Sequence, residues 1–380
     1  MKTIAAVAGA VLVLVVLWDG FETLVLPRRV TRKVRLARFF FRYTWLLWSR
    51  AACAISSGRF QETLLGYYGP LSLLMLLGIW AVGIITGFGL IQWAVAPAGE
   101  TSGFWTNFYF SGTTFFTLGL GDVAPHTATA RALTVTEAGL GFGSLALVIG
   151  YLPALNQSFS RREVNISLLD SRAGSPSTAA EMLRRHADQY GIEALRQLFM
   201  DWEIWSAELM ESHLSYPILA FFRSQHDNQS WLAALTTILD ASALVIVGLE
   251  GACQRQAQLA FAITCHAVLD LAHVSGTPPR EPDKDRLPPA GMAELRSFLA
   301  ASGLKLREGE DADRRLSELR KAYEPYVQSL SRYLRISVPP WVPEEGWADN
   351  WQTSAWGRRV RRETGQARRQ ALLSRLLKGG

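Results

Sequence analysis

Residues 116–122 read FTLGLGD and stand between long stretches of sequence without charge. Gly119 and Gly121, one residue apart, are poor helix formers. Glycine at every second position lets the backbone adopt left-handed dihedral angles without a Cβ penalty, so that successive carbonyl groups can turn to one side. Rows of carbonyl oxygens around a symmetry axis replace the water shell of a dehydrated cation. The stretch therefore predicts a backbone cation site in a chain that is otherwise suited to lipid.

The segment before these glycines, Phe104 to Phe116, is apolar and aromatic but too short to cross a bilayer. It has the length of a re-entrant helix, which enters the membrane and returns on the same side. Non-helical backbone at membrane depth occurs only where it is buried in protein or lines a water-filled cavity. We therefore expect the returning residues to line a pore, with the negative end of the re-entrant helix directed at the same point.

Three apolar segments are long enough to cross the membrane as helices. They cover residues 4–26, 70–95 and 132–155, and the second contains no charged residue. The first segment also resembles a signal peptide, but no small-x-small cleavage site follows its apolar core, so we expect an uncleaved anchor. The sequence thus predicts an all-α membrane protein with three transmembrane helices, a re-entrant pore helix with its filter, and a cytoplasmic helical domain.

Basic residues indicate the orientation in the membrane. Residues 28–68 contain nine Lys and Arg residues, whereas residues 96–130 contain none. Because short cytoplasmic loops carry the excess of Lys and Arg, we expect the N-terminus outside and the C-terminal part inside, in the cell (inner or plasma) membrane. Residues 37–55 combine aromatic residues with three arginines, which indicates an amphipathic helix in the membrane interface.

From Asn165 onward the sequence is typical of a soluble helical domain. Residues 231–249 and 256–274 are nearly as apolar as a span, but they contain Asp240 and Asp270. Since charges inside a membrane are rare, we interpret both as core helices of a cytoplasmic bundle, the alternative being a further membrane hairpin. The predicted parts of the chain are an N-terminal transmembrane anchor (1–27), a basic cytoplasmic or interfacial linker (28–68), a pore domain (69–156), a cytoplasmic helical domain (157–275), a proline-rich linker (276–291) and a C-terminal helical segment with a Trp-rich and basic tail (292–380).

At FTLGLGD the sequence resembles the potassium-channel family whose subunits have two transmembrane helices around one pore loop, with the pattern Thr-x-Thr-Thr-x-Gly-Tyr-Gly-Asp. The resemblance covers about residues 70–155 and includes the order helix, pore helix, filter, helix. Phe116 and Leu120 depart from the pattern, because the family usually has Thr and Tyr there. The residues in register with the pattern are Thr114, Thr117, Gly119, Gly121 and Asp122.

The resemblance implies a homotetramer around one axial pore that conducts potassium or other monovalent cations through the membrane lipid. It implies ion sites at the Thr117 hydroxyl and at filter carbonyls, with Asp122 at the pore mouth. It also implies that the protein is not an enzyme and needs no cofactor beyond the permeant K⁺. The residues assigned to the filter in this way are Thr117, Leu118, Gly119, Leu120 and Gly121.

Leu120 bears on ion selectivity. In the family, the hydroxyl of the filter tyrosine bonds to aromatic residues of the pore helix and holds the filter at its width, which leucine cannot do. Packing of Leu120 against Phe110 or Tyr109 is a candidate substitute. A non-selective cation channel therefore remains an alternative, and so does a membrane-anchored signalling or scaffold protein with a vestigial pore.

Glu137 is the only charged residue inside the third span. An acid inside the membrane is a functional candidate, because burying its charge is unfavourable. It is placed to bond the back of the pore helix at Thr113 or Thr114 and so to support the filter. The alternative is a carboxylate near the outer surface that pairs with Arg131.

Glycines follow Glu137 on the same helix. In the family, a glycine at about the place of Gly141 is a gating hinge, which makes Gly141 a candidate hinge here. Gly139 and Gly143 are four residues apart, a spacing that serves close helix packing. We expect packing to be their main role.

Asp19 and Glu22 are three residues apart and so share one face of the first helix. They could contact the pore-forming helices. The simpler interpretation is that they pair with Arg28 and Arg29 at the inner membrane surface.

Other patterns argue against further chemistry. The three cysteines have no metal-ligand spacing, and five of the six histidines are scattered through the C-terminal helical region. We therefore expect no metal site and no catalysis. The basic residues from Arg358 to Lys378 could bind anionic lipid headgroups, the alternative being a solvated basic tail, and no nucleic-acid partner is expected.

Overall fold

The structure is a computed structural model that describes residues 1–26, 36–55, 58–96, 103–187, 191–225, 228–249 and 253–344. Within these residues the chain is all-helical, as the sequence predicts, and its one strand-like feature is an antiparallel bridge between Leu249 and Leu306. The basic tail from Arg358 and the predicted partners Arg28 and Arg29 lie outside the described residues. The α-helices of the described part are α1 (Lys2–Gly20), α2 (Leu36–Ile55), α3 (Arg59–Val95), α4 (Phe104–Phe115), α5 (Ala128–Ala173), α6 (Ala179–Arg184), α7 (Gly191–Ser215), α8 (Trp231–Gly248), α9 (Gln254–Ser275), α10 (Pro289–Ala300) and α11 (Glu310–Leu334).

The chain divides into two compact units. The first comprises Met1–Phe159 and Leu214–Arg223, and the second comprises Ser160–His213 and Ser224–Gly380. Among the described residues, five helical segments are long and apolar enough to cross a membrane. They are Lys2–Val25, Phe60–Val95, Ala128–Ala173, Trp231–Gly248 and Gln254–Ser275.

In the first unit, α1 packs along α3 through glycines on both helices. A Cβ at Gly9 would lie 2.4 Å from the carbonyl oxygen of Gly87, so only glycine allows this approach. Gly83 precedes Gly87 by one turn and faces α1 as well, which gives α3 the small-xxx-small spacing of closely packed membrane helices. The Lys2 ammonium donates to the Ala96 carbonyl at 2.9 Å, and α1 is therefore antiparallel to α3.

Asp19 joins three helices of the first unit. Its side chain is buried and accepts a hydrogen bond from the Trp80 indole of α3 at 3.0 Å. The backbone N–H of Ala37 at the start of α2 donates to both carboxylate oxygens at 3.2 Å. A carboxylate satisfies the unpaired amides of a helix N-terminus and interacts favourably with its dipole. The bond to Trp80 agrees with the expected contact with a pore-forming helix, whereas the bonds to the start of α2 were not predicted.

Two of the predicted boundaries fall inside helices. The second span was expected to begin at Pro70, but α3 begins at Arg59 and continues through that proline. The third was expected to end at residue 155, but α5 continues to Ala173. The predicted linker 28–68 therefore contains α2 and the first part of α3. Proline is tolerated within a membrane helix when neighbouring groups satisfy the freed carbonyl.

α2 is not an isolated surface helix, because it packs along the first part of α3. The Thr44 hydroxyl lies 2.9 Å from the Tyr68 hydroxyl, and the Trp48 indole donates to the Leu64 carbonyl at 2.9 Å. The opposite face of α2 exposes apolar side chains such as Phe39. The helix is amphipathic, as predicted, and its buried face is occupied by α3.

Residues 214–223, between α7 and α8, belong to the first unit. The Phe221 ring lies with its centroid 5.1 Å from those of Trp45 and Tyr68, on α2 and α3. The Tyr216 ring lies 5.3 Å from that of Tyr151 on α5. This segment, which we call the aromatic strap (214–223), thus contacts three helices of the first unit.

In the second unit, α8 forms the centre. All its residues from Trp231 to Val247 are buried, including Asp240, whose carboxylate pairs with Arg286 at 2.6 Å and accepts from the Tyr323 hydroxyl at 2.5 Å. An apolar helix that is enclosed in this way has no free face for lipid. This burial favours the core-helix interpretation of α8.

Candidate functional site

The helix expected at Phe104 to Phe116 is observed as α4, Phe104–Phe115. It lies against α3, where a Cβ at Gly89 would be 3.1 Å from the Cα of Phe108. The Ser111 hydroxyl, buried in this contact, lies 2.7 Å from the carbonyl oxygen of Ile85. Glycine on α3 and a small hydroxyl on α4 therefore allow the two helices to approach closely.

The end of α4 is closed by hydrogen bonds from the residues that follow. The N–H of Thr117 donates to the Thr114 carbonyl at 2.9 Å, and that of Leu118 donates to the Thr113 carbonyl at 2.8 Å. This pair of bonds is the Schellman motif, which places the residue after the cap in the left-handed region. That residue is Thr117, with a φ of 55°, an uncommon conformation for a β-branched side chain.

Left-handed dihedral angles alternate along the FTLGLGD segment. The φ angle is 55° at Thr117, 57° at Gly119 and 80° at Gly121. The sequence predicts this conformation for the two glycines, and the structure extends the alternation to Thr117. A Cβ at either glycine would meet no atom within 4 Å, so the backbone dihedral angle alone calls for glycine in the single chain.

The side chains of the residues that precede each left-handed residue are exposed in the single subunit. Phe116, Leu118 and Leu120 are 59%, 60% and 63% exposed. Leu120 is thus largely uncovered in the single chain, and its packing against Phe110 or Tyr109 stays a prediction. Phe110 is buried inside the subunit, whereas Tyr109 is partly exposed.

Tyr109 instead contacts the end of the segment. Its hydroxyl interacts with the carboxylate of Asp122, the residue that the sequence places at the pore mouth. A phenol of α4 thus ties the outer end of the FTLGLGD segment to the helix that precedes it. The sequence led us to expect a substitute for the missing tyrosine hydroxyl at Leu120. The contact is instead made by Asp122, two residues later.

Glu137 is fully buried on α5 and faces α4. Its Oε1 contacts the Ser111 hydroxyl, whereas the sequence analysis expected Thr113 or Thr114. Thr113 uses its hydroxyl within α4, on the carbonyl of Phe110. α4 has hydroxyl residues at several positions. Which of them contacts Glu137 depends on how α4 packs against α5, and in the structure it is Ser111.

The alternative partner of Glu137 is engaged elsewhere. The Nε of Arg131 lies 3.3 Å from the Pro125 carbonyl. Arg131 is exposed while Glu137 is buried, so the two side chains lie in different environments. The surface ion pair that the sequence left open does not form.

Among the glycines of α5, Gly141 makes the close contact. A Cβ at this position would lie 1.9 Å from the carbonyl oxygen of Phe115 at the end of α4. At Gly139 and Gly143 a Cβ would meet no atom of the same chain within 4 Å. Within the subunit, close packing is therefore found at Gly141 and not at Gly139 or Gly143, and the hinge at Gly141 stays a prediction.

One histidine of the second unit lies in its core. His213 is buried, with its Nδ1 2.8 Å from the Leu209 carbonyl and its Nε2 3.4 Å from Arg162. Burial, followed by the charge of Arg162, lowers the pKa of His213 to about 3. The part of the chain that the structure describes holds no group of three His, Cys, Asp or Glu residues able to bind a metal ion.

Residues 73–157, which include most of α3, all of α4, the FTLGLGD segment and the first part of α5, match the sequence model of a family described as ion channel. A membrane protein of Bacillus subtilis strain 168, the uncharacterised YdjJ, is 25% identical over 267 residues, covering 65% of this chain and 75% of that protein. A search of the solved structures found no match to the chain. The chain is therefore similar to a membrane protein, and its residues 73–157 are similar to an ion channel domain.

Proposed function

We propose that the protein is one subunit of a homotetrameric cation channel that conducts potassium across the cell membrane. The observation that carries this proposal is the alternation of left-handed residues at Thr117, Gly119 and Gly121, within the segment that matches the ion channel family. In the proposed channel the carbonyls of residues 117–121 and the Thr117 hydroxyl bind the dehydrated ion, and Asp122 lies at the outer mouth.

Apolar side chains left exposed in one subunit support assembly around an axis. Beside Phe116 and Leu120, α5 exposes Val135, Phe142 and Ile149 on the side away from Glu137. A contiguous exposed apolar surface of this kind usually marks an interface. Identical subunits that cover it with one another form a closed, symmetric ring. We propose that the ring has four members, as the resemblance implies.

The proposed topology follows the distribution of charge. Residues 28–68 with their nine basic residues lie inside, and residues 96–130 without any lie outside. α1, α3 and α5 cross the membrane, and α8 and α9 are core helices of the cytoplasmic domain. Antiparallel packing of α1 on α3 supports a crossing by α1, since Lys2 then lies at the same end as Ala96.

Selectivity for potassium rests in this proposal on the bond between Tyr109 and Asp122. It holds the outer end of the filter from behind, as the tyrosine hydroxyl absent at Leu120 does in the potassium-channel family. A non-selective cation channel is the second candidate function, and the exposure of Leu120 favours it.

The decisive measurement is the reversal potential of purified protein in a planar bilayer, with potassium on one side and sodium on the other. We expect a reversal potential far from zero, with the potassium side negative, because potassium then carries nearly all of the current. Equal permeabilities would establish the non-selective channel, and the absence of current from inserted tetramers would exclude a channel of either kind. Tyr109→Phe removes one hydroxyl and should lower the potassium-to-sodium permeability ratio, while the exposed Tyr67→Phe should leave it unchanged.

Regulation by the cytoplasmic domain is the finer part of the proposal, and the aromatic strap (214–223) supports it. This strap is covalently continuous with α7 and α8, and its Tyr216 contacts Tyr151 on the proposed pore-lining helix α5. A change in the cytoplasmic domain that displaced the strap would therefore disturb α5.

Phe221→Ala tests the strap, because it removes the ring that packs on Trp45 and Tyr68. We expect a changed open probability with an unchanged unitary conductance. Phe60→Ala, at an exposed position of α3, is the matched control. If Phe221→Ala and Phe60→Ala have the same open probability, the strap does not take part in regulation.

A further inference from the structure

The Ser111 hydroxyl lies within hydrogen-bond distance of two oxygens. One is the Ile85 carbonyl of α3 at 2.7 Å, and the other is Oε1 of Glu137 on α5. A serine hydroxyl has one hydrogen to donate, and a backbone carbonyl can only accept. When Ser111 donates to Ile85, its contact with Glu137 is a hydrogen bond only if the hydrogen comes from the carboxyl group.

Among the described residues, no cation is paired with Glu137. The side chain is fully buried, and its second oxygen, Oε2, has no hydrogen-bond partner within the described residues. Neither α4 nor the stretch of α3 from Pro70 to Val95 contains a charged residue. A buried carboxylate without a cation and with one oxygen unsatisfied is strongly unfavourable.

Tyr109, Arg131 and Asp19, which are titratable residues of α4, α5 and α1, each have another partner. Tyr109 of α4 bonds to Asp122, and Arg131 of α5 bonds to the Pro125 carbonyl. Asp19 of α1 accepts hydrogen bonds from α2 and α3. A neutral carboxylic acid therefore fits the site better than an anion does.

We propose that Glu137 is a protonated acid that donates to Ser111, which in turn donates to Ile85, so that a two-bond relay holds the pore helix between α5 and α3. Glu137 is thereby a positioning residue for the filter. The inference rests on the proposed channel function for its effect on current, but the protonation of Glu137 can be measured without any current. Removal of the proton leaves two acceptors for the single Ser111 hydrogen, and one of the two bonds is lost.

Substitutions that keep or remove the donor test the relay. Glu137→Gln retains an N–H donor of similar shape and should conduct like the wild type. Glu137→Ala and Ser111→Ala should lower the conductance or the potassium-to-sodium permeability ratio about tenfold, the effect of losing one buried hydrogen bond. Ser144→Ala is the matched control, since that hydroxyl bonds within α5, to the Leu140 carbonyl at 2.7 Å.

The pH profile separates this relay from a purely structural contact. The wild-type current should fall as the pH is raised until Glu137 loses its proton, and the current of Glu137→Gln should not respond in this way. A Glu137→Gln variant that behaves like Glu137→Ala, in a wild-type background that conducts, would overturn the relay. An alkaline loss that persists in Glu137→Gln would also overturn it.

Infrared difference spectroscopy of the purified protein reports on the proton directly. Subtraction of the Glu137→Gln spectrum from the wild-type spectrum at neutral pH should leave the carbonyl band of a protonated carboxylic acid. The band should shift in Ser111→Ala, because its hydrogen-bond partner is removed. Absence of the band would overturn the inference, whereas its presence in a protein without current would support the inference and refute the channel.

Discussion

Gly141 of α5 lies so close to the end of α4 that a Cβ at residue 141 would fall 1.9 Å from the carbonyl oxygen of Phe115. No side chain fits there unless one of the two helices moves. The contact alone accounts for glycine at this position, whether or not the helix bends there. α4 and α5 are therefore fitted to each other at the point where the FTLGLGD segment begins.

Gly141→Ala should destabilise the ion channel domain by about 1–3 kcal/mol, as overpacking of a close contact does. The measurement is the thermal unfolding of the detergent-solubilised protein, with size-exclusion chromatography to follow its assembly. Gly143→Ala is the matched control, because a Cβ there meets open space within the subunit. Equal stability of Gly141→Ala and the wild type would contradict the close contact.

Gly119→Ala and Gly121→Ala should each penalise the filter conformation by about 1–2 kcal/mol, since an L-residue is strained in the left-handed region. We expect a reduced single-channel conductance or an altered permeability ratio. Gly103→Ala is the control, because Gly103 has a φ of −66° and open space around its Cβ position. If both filter variants conduct like the wild type, the ion sites lie elsewhere.

Gly87→Val should displace α1 from α3, because a Cβ at Gly87 would lie 2.6 Å from a methyl group of Val13 and 2.9 Å from the Gly9 carbonyl oxygen. We expect a lower unfolding temperature in detergent. Gly78→Val, on the same helix but with open space at its Cβ position, should leave that temperature nearly unchanged. Similar unfolding of the two variants would show that the contact of α1 with α3 contributes little.

His213 should make the folded chain less stable in acid. Burial and the neighbouring Arg162 lower its pKa from 6.5 to about 3, so between these values the unfolded chain binds a proton that the folded chain does not. The free energy of unfolding therefore falls as the pH falls through this window, by at most about 1.4 kcal/mol per pH unit from this group. Unfolding curves of the wild type and His213→Gln, recorded across this pH range, should diverge. Parallel pH dependence would refute the assignment.

The sequence predicts the parts of the site that depend on local pattern. The aromatic run from Phe104 is too short to span and ends before two glycines, which is enough to place α4 and the left-handed residues Gly119 and Gly121. The left-handed Thr117 is not predictable in this way. Its conformation follows from the hydrogen bonds that Thr113 and Thr114 accept at the end of α4, against the preference of a β-branched residue.

Contacts between elements distant in sequence could not be predicted. Ser111 is one of several hydroxyl residues on α4, and its pairing with Glu137 depends on how α4 and α5 meet. Gly83 and Gly87 have a recognisable spacing, but nothing in the sequence names α1 as their partner. The contact of the aromatic strap (214–223) with the first unit could not be predicted either, because the composition around these residues is typical of a soluble domain.

Closure of α4 by the amides of Thr117 and Leu118 divides the proposed filter into two halves. The inner half is fixed by its own chain, through hydrogen bonds formed before any neighbour is present. Within the described residues, the amides of Gly119, Leu120 and Gly121 have no such bonds, and Leu120 projects from the subunit. In the proposed channel, the geometry of residues 119–121 is therefore set by the neighbouring subunits as well as by the contact of Asp122 with Tyr109 of the same chain.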